Sequence, residues 1–285
     1  MFEPSSLVIV ADRPLPAAGS LSPALKARTT IVACETGAAP DLPEALQGLA
    51  AGERPDLALV CVSPAVLPET LRRLSPLAPR SVILLPHELP DPYPRGTLAL
   101  CRAWAEENRC ELLGPRSFGA QRPHAGLNLS QHPVLARAGR VALLAQSRSI
   151  MAAVMDWAED VHIGFSTAVS LGDEAVVGLS RVLDYLASDP RTDSIVLYLE
   201  DVGPAREFMS TLRAAASVKP VIVLKAGRAD TDSADAIFDA ALRRAGAVRV
   251  RYFVQLFSAV KVLGYTRRPK GCLLYTSDAA DDLLC

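Results

Sequence analysis

The feature that most constrains the fold is a regular alternation of short apolar runs with longer segments of helical pattern. The apolar runs are rich in Val, Ile and Leu and show little polar alternation, which is typical of strands buried on both faces of a parallel sheet. In the first half, strands are predicted at residues 7–11, 30–34, 57–62, 81–85 and 111–113, and helices at residues 42–51, 68–77 and 96–108. This order predicts a doubly wound α/β domain.

A second series with the same order follows. Strands are predicted at residues 141–145, 166–171, 194–199 and 221–225, and helices at residues 149–159, 174–187, 205–217 and 233–245. Residues 121–139 carry two prolines and no clear period, so we place a domain boundary near residue 135. The expected domains are residues 1–135 and 136–270.

Composition excludes several classes of protein. Half of the residues are hydrophobic and the net charge is −1, so the chain is expected to fold and not to bind nucleic acid. No apolar run reaches the roughly 18 residues of a membrane span, and the first residues do not form a secretion signal. The six cysteines include no CxxC pair. We expect a cytoplasmic protein with reduced thiols, no metal and no membrane partner.

The last fifteen residues, 271–285, continue no element. The string LYTSDAADD resembles translated sequencing-adapter DNA, and we expect a non-native tail there. The alternative is a genuine, partly acidic tail.

Two loops of the first domain are candidates for ligand binding, because doubly wound sheets bind ligands beyond the carboxyl ends of their strands. The first loop offers Arg13, Gly19 and Ser20, but it has one glycine and two prolines, so an ordinary loop is an equal alternative. The second loop offers Gly114 and its neighbours, for which a domain-crossing turn is the alternative. The candidates in this second loop are Gly114, Pro115 and Ser117.

In the second domain, polar residues follow three predicted strands and should converge on one edge of the sheet. Ser147 or Ser149 is placed to cap a helix whose amino end would hold a phosphate, and a plain capped helix is the alternative. The candidates for this phosphate site are Gln146, Ser147, Ser149, Glu200, Lys225 and Arg228. No nucleophile has a base at a recognisable spacing, so no catalytic residue is assigned.

Several segments resemble motifs of the NDP-forming acyl-CoA synthetases, in the same order along the chain. Residues 113–119 are similar to their GPN(C/S)xG loop, and residues 145–150 to their SQSGxL helix start. Further similarities lie at residues 164–173, 183–192 and 198–228, and the resemblance is strongest from 111 to 260. It implies an α/β protein with a Rossmann-like CoA-binding domain followed by a flavodoxin-like succinyl-CoA-synthetase-type domain.

Asp156-Trp-Ala and Tyr198-Leu-Glu most resemble the ligase-like region of bacterial protein lysine acetyltransferases. Those proteins join this region to a grasp-type domain and a GNAT acetyltransferase domain. The resemblance implies these two partners, a homo-oligomer, and a truncated regulatory region that binds CoA or acetyl-CoA. ATP or ADP would bind only through the missing grasp-type domain.

The departures from the motifs concern the reaction. Active synthetases of this family carry a phosphate on a histidine after the KxGR segment, whereas no histidine follows Arg228 here. Ala145 replaces Ser, Arg148 replaces Gly and Arg116 replaces Asn. We therefore predict that this chain cannot perform ligase chemistry. Two alternatives stay open: the α-like part of an ADP-forming acyl-CoA ligase acting with a grasp-type partner, and a scaffold without a ligand.

Overall fold

The computed structural model describes residues 2–15, 21–35, 54–85, 96–227 and 232–265. Five predictions lie outside these residues: Gly19, Ser20, Arg228, the helix at 42–51 and the tail at 271–285.

The first sheet is parallel and has five strands in the order β2-β1-β3-β4-β5. They are β1 (Leu7–Ala11), β2 (Thr29–Ala33), β3 (Leu57–Cys61), β4 (Ser81–Leu84) and β5 (Glu111–Leu113). Every residue of β1, β3 and β4 is buried, which explains why these strands read as unbroken apolar runs. All five predicted strands are confirmed. The order reverses between β1 and β3, which makes this the switch point of the sheet.

Three α-helices accompany this sheet in the described part of the chain: α1 (Pro23–Lys26), α2 (Leu67–Leu74) and α3 (Thr97–Glu107). A 3₁₀ helix, Ser75–Leu77, follows α2, so the predicted helix over 68–77 is two elements. Helix α2 packs against the first sheet through Leu67, Leu71 and Leu74, which share one helical face.

The second sheet has seven strands in the order β12-β11-β10-β8-β9-β6-β7. They are β6 (Gly119–Arg122), β7 (Leu127–Ser130), β8 (Ala138–Ala145), β9 (Phe165–Ser170), β10 (Ser194–Leu199), β11 (Val221–Lys225) and β12 (Val248–Val250). Strands β8 to β12 run parallel to one another. The helices are α4 (Arg148–Asp160), α5 (Leu179–Ser188), α6 (Ala205–Val218), α7 (Asp232–Ala245) and α8 (Phe253–Tyr265). The α/β fold class is thereby confirmed.

Strands β6 and β7 form a hairpin in a segment where the sequence predicts no element. A 3₁₀ turn, Pro123–Ala125, joins the two strands, and β6 pairs antiparallel with β9. The hairpin buries several polar side chains beside its apolar ones: Gln121 Nε2 donates to Asn128 Oδ1 at 3.1 Å and to Ser130 Oγ at 3.0 Å. Because these side chains are polar, the segment lacks the apolar run that predicts a buried strand. Because β6 pairs with β9, the hairpin belongs to the second sheet. The domain boundary near residue 135 stays a prediction.

Residues 173–177 connect the two sheets, and we call them the inter-sheet strap. The amides of Asp173, Ala175 and Val177 donate to the carbonyls of residues 115, 114 and 112, at 2.8, 3.0 and 2.9 Å. The strap therefore runs beside β5, at the edge of the first sheet. The predicted start of a helix at residue 174 is wrong, because the amides there bond across to β5 and α5 begins at Leu179. Within the described residues, no helix is both long and apolar enough to cross a membrane.

Candidate functional site

A cleft of about 860 Å³ lies at the carboxyl edge of the second sheet. The loops after β8, β9 and β10 and the amino ends of α4, α5 and α6 form most of its wall. The structure brings four of the sequence candidates together there: Gln146, Ser147, Ser149 and Glu200. Parallel strands end at the same edge of a sheet, which is why residues far apart in sequence meet in this cleft.

The amino end of α4 opens into the cleft without a side-chain cap. Ser147 occupies the N-cap position with φ −95° and ψ 128°, but its hydroxyl accepts no capping hydrogen bond. The first helical hydrogen bond runs from the Met151 amide to the Ser147 carbonyl at 3.0 Å. The amides of residues 148–150 consequently have no intrahelical acceptor. An amino end of this kind attracts anions through its amides and its dipole.

Gln146 uses its side-chain amide on the protein itself. Its Oε1 accepts from the Glu200 amide at 2.6 Å and the Asp201 amide at 2.9 Å. Its Nε2 donates to Glu174 Oε1 at 2.7 Å and to the Asp201 carbonyl at 2.8 Å. Gln146 therefore organises the wall of the cleft and has little capacity left for a ligand.

Glu174 is a second organising residue, which sequence reasoning missed. Its other carboxylate oxygen, Oε2, accepts from the Leu179 amide at 2.8 Å and so caps α5. Its backbone has φ +52°, an unfavourable conformation for a residue with a side chain. Such strain persists only where surrounding contacts impose it.

The cleft presents both signs of charge. Four guanidinium groups and five carboxylates line it: Arg102, Arg116, Arg148, Arg181, Asp173, Glu174, Glu200, Asp201 and Glu207. Arg116 pairs with Asp173, and Arg181 pairs with Glu111. Because the charges nearly balance, attraction for an anion must come from the amino end of α4 and not from the cleft as a whole. Sequence reasoning missed Arg102 and Arg181 because they come from separate elements and carry no motif.

The candidate loop after β5 is used for packing. Gly114 has φ +102°, and a Cβ there would lie 2.7 Å from the Leu84 carbonyl oxygen. Ser117 is fully buried, and its Oγ donates to the Ser170 carbonyl and accepts from the Gly119 amide at 2.9 Å. The Pro115 carbonyl accepts from the strap. These contacts hold the three residues in the packing between the sheets, which agrees with a domain-crossing turn, and their role in CoA binding stays a prediction.

The described part of the loop after β1 is also a poor fit for an anion. The side chain of Asp12 is buried, and its Oδ2 accepts from the Ser63 amide at 3.3 Å. Arg13 lies beside it, with Nε 3.8 Å from Asp12 Oδ1. A carboxylate at the carboxyl end of β1 repels a phosphate placed at the switch point. Lys225 does not line the cleft in the second sheet; its Nζ donates to the Ala226 carbonyl at 3.4 Å.

None of the three histidines within the described ranges lines the cleft. His132 is buried against α4, with Nε2 2.9 Å from Asp156 Oδ1 and Nδ1 2.8 Å from the Val134 carbonyl. His124 and His162 contact backbone carbonyls. In the same ranges no group of His, Cys, Asp or Glu has the arrangement of a metal site.

Residues 138–263 match the family model of the succinyl-CoA ligase like flavodoxin domain. The chain is 32% identical over 186 residues to an ADP-forming acetate–CoA ligase I of Archaeoglobus fulgidus, covering 61% of this chain and 27% of that protein. It is 30% identical over 172 residues to the alpha subunit of an ADP-forming acetate–CoA ligase I of Pyrococcus furiosus, covering 56% and 37%. The chain thus spans about a quarter to a third of these relatives.

The fold is similar to that of solved structures. One is a dinucleotide forming acetyl-coenzyme A synthetase 1 of Ca. Korarchaeum cryptofilum in complex with phosphate and ADP. The TM-score is 0.77 at 22% identity, over 95% of this chain and 63% of the other. This likeness concerns the fold alone. The comparisons do not support the expected link to GNAT-fused acetyltransferases. The matched domain and the ligase relatives agree with the resemblance to the NDP-forming acyl-CoA synthetases.

Proposed function

We propose that the chain is the α-like part of an ADP-forming acyl-CoA ligase, and that its cleft binds the phosphate or acyl phosphate used by such a reaction. The observation that carries this proposal is the uncapped amino end of α4 in the cleft. The ligase relatives, one of them an alpha subunit, support the reaction class. The relatives therefore favour this alternative over a regulatory region of a protein lysine acetyltransferase.

The chemistry of an ADP-forming ligase requires a site for a phosphoryl group. A thioester forms from a carboxylate and the CoA thiol only if the carboxylate oxygen is first made a good leaving group, and phosphate from ATP supplies this activation. In this chain, the amides of residues 148–150 and the hydroxyls of Ser147 and Ser149 would hold the phosphoryl oxygens. Gln146 and Glu174 would hold these groups in position.

No histidine lies at the position, after the KxGR segment, that the family resemblance implies for a covalent phosphohistidine relay. The chain's four histidines all precede residue 163. The chain is therefore assigned binding and orientation, and a grasp-type partner would supply ATP binding and the phosphoryl group. With γ-labelled ATP, the chain alone is expected to retain no acid-labile label. Retained label would contradict this assignment.

Calorimetric titration with inorganic phosphate, acetyl phosphate and CoA tests the proposal. The chain is expected to bind the first two, and Ser147→Asp should weaken both at least tenfold because it places a carboxylate at the amino end of α4. Ser210→Asp adds the same charge on the exposed face of α6 and should leave both affinities unchanged. No heat with any of the three compounds at tens of millimolar would refute the proposal and favour the scaffold. Cytoplasmic location, homo-oligomerisation and binding of CoA or acetyl-CoA by the first domain stay predictions.

A further inference from the structure

The Glu200–Asp201 turn depends on one side chain. Both amides of this turn donate to Gln146 Oε1, and the Asp201 carbonyl accepts from Gln146 Nε2. Gln146 is also the residue before Ser147, the N-cap of α4, and its amide donates to the Tyr198 carbonyl at 3.1 Å. One residue therefore fixes both the turn after β10 and the amino end of α4.

Gln146 is in turn held by the loop after β9. Its Nε2 donates to Glu174, whose second oxygen caps α5. Glu174 belongs to the inter-sheet strap, whose backbone amides donate to the carbonyls of residues 112, 114 and 115. The orientation of Gln146 therefore follows the position of the strap.

The strap is anchored to the loop after β5 by a side-chain pair as well. Arg116 Nε lies 2.8 Å from Asp173 Oδ2, and Arg116 Nη2 contacts Oδ1. Arg116 has φ +58° and Glu174 has φ +52°. Two strained residues thus lie on either side of the contact between the sheets, and both line the cleft.

We propose that Gln146 is a positioning residue of the cleft, and that the strap makes its position depend on the loop after β5 of the first sheet. The chain of contacts runs from Arg116 to Asp173, along the strap to Glu174, and through Gln146 to the Glu200–Asp201 turn. A change at the first sheet would reach the amino end of α4 through these contacts. The role toward an anion rests on the proposed function, whereas the mechanical connection does not.

Amide hydrogen exchange tests the connection without any ligand. The reporters are the amides of Glu200 and Asp201, because both donate to Gln146. Gln146→Met keeps the length of the side chain and should speed exchange at both amides about tenfold or more. Arg116→Met, and Asp173→Asn as a second variant, should speed exchange severalfold at the same two amides. Arg137→Met is the control, because it removes an arginine of similar exposure from an ion pair, with Glu159, that does not line the cleft.

The connection is overturned if Arg116→Met and Asp173→Asn leave the exchange at residues 200 and 201 unchanged, even where residues 172–178 respond. Phosphate affinity gives a second readout. If the contacts act in series, Arg116→Met combined with Gln146→Met should weaken phosphate binding no more than Gln146→Met alone. If the double variant instead weakens phosphate binding by the product of the two single effects, the contacts do not act in series. A wild-type chain that binds no phosphate refutes the proposed function, and the exchange result still decides the connection.

Discussion

Arg116 and Asp173 form a bidentate ion pair between the two sheets, with Arg116 Nε 2.8 Å from Asp173 Oδ2. Arg116 stands where the resembling family motif has Asn, and a longer side chain lets this position reach the strap. The Arg116 side chain is 42% exposed. A pair so accessible to water adds less than about 1 kcal/mol to stability, so its main effect is on geometry.

Gly172 and Gly203 offer a matched test of how tightly the strap packs. Both have positive φ, +66° and +55°. A Cβ at Gly172 would lie 2.2 Å from the Pro115 carbonyl oxygen, whereas nothing lies within 4 Å of one at Gly203. Gly172→Ala is expected to lower the free energy of unfolding by about 3 kcal/mol or more, and Gly203→Ala by about 1 kcal/mol from backbone strain alone. Urea unfolding measures both, and equal losses would contradict close packing at the strap.

Much of the fold could be predicted because burial leaves a local signal. Strands β1, β5, β10 and β11 occupy the predicted residues, since strands buried on both faces read as apolar runs. The hairpin over residues 119–130 could not be predicted, because its buried partners Gln121 and Asn128 are polar and bond to each other.

The site was predictable only in part. The meeting of Ser147, Ser149 and Glu200 at one edge follows from the topology of a parallel sheet. The role of Gln146 depends on hydrogen bonds between residues 28 to 55 positions apart, which no local pattern records. Residues 174–178 are not helical because the amides of Ala175 and Val177 donate to the carbonyls of residues 114 and 112, which are also far away in sequence.

The buried pair of Arg122 and Asp189 predicts a loss of stability in acid. Burial raises the pKa of the Asp189 carboxyl, but hydrogen bonds from Arg122, Thr192 and the Arg191 amide outweigh it and hold the pKa below its ordinary value of 3.8. Because the folded pKa is the lower one, this stability is present above about pH 4 and is lost as pH falls through the folded pKa.

Asp189→Asn tests this relationship. Near neutral pH it should lower the free energy of unfolding by about 3 kcal/mol, because it leaves Arg122, whose side chain is 4% exposed, without its buried partner. The difference in the free energy of unfolding between wild type and variant should become smaller as the pH falls below 4. Asp160→Asn, at an exposed position in α4, is the control. Urea unfolding measures this difference, and a difference that does not change with pH would contradict the lowered pKa of Asp189.

The cysteines are expected to react in a definite order. Burial, with a smaller contribution from Asp173, raises the pKa of the Cys101 thiol to about 11. Burial raises the pKa of Cys110 to about 12. At about pH 8 the fraction of Cys101 present as thiolate is then about a hundredfold smaller than that of a cysteine with the ordinary pKa of 9.

Iodoacetamide should therefore label Cys34, which is half-buried, before Cys101 and Cys110 in the folded protein. Peptide mass mapping over time gives the order. Labelling in concentrated urea is the control, because unfolding should make the three rates similar. Early labelling of Cys101 would show that α3 opens readily.

Ser147→Asp should change stability and phosphate affinity in opposite directions. An aspartate at the N-cap accepts from the first-turn amides and interacts favourably with the helix dipole, so the free energy of unfolding should rise by about 0.5–1 kcal/mol. The same carboxylate occupies the place proposed for the anion, so phosphate should bind at least tenfold more weakly.

Ser147→Ala is the matched control for stability, because it adds no charge. Since the Ser147 hydroxyl caps nothing in the folded protein, the free energy of unfolding should change by less than about 0.5 kcal/mol. If Ser147→Asp stabilises the fold and leaves phosphate affinity unchanged, the amino end of α4 is only a helix terminus, and the anion site must be sought elsewhere in the chain.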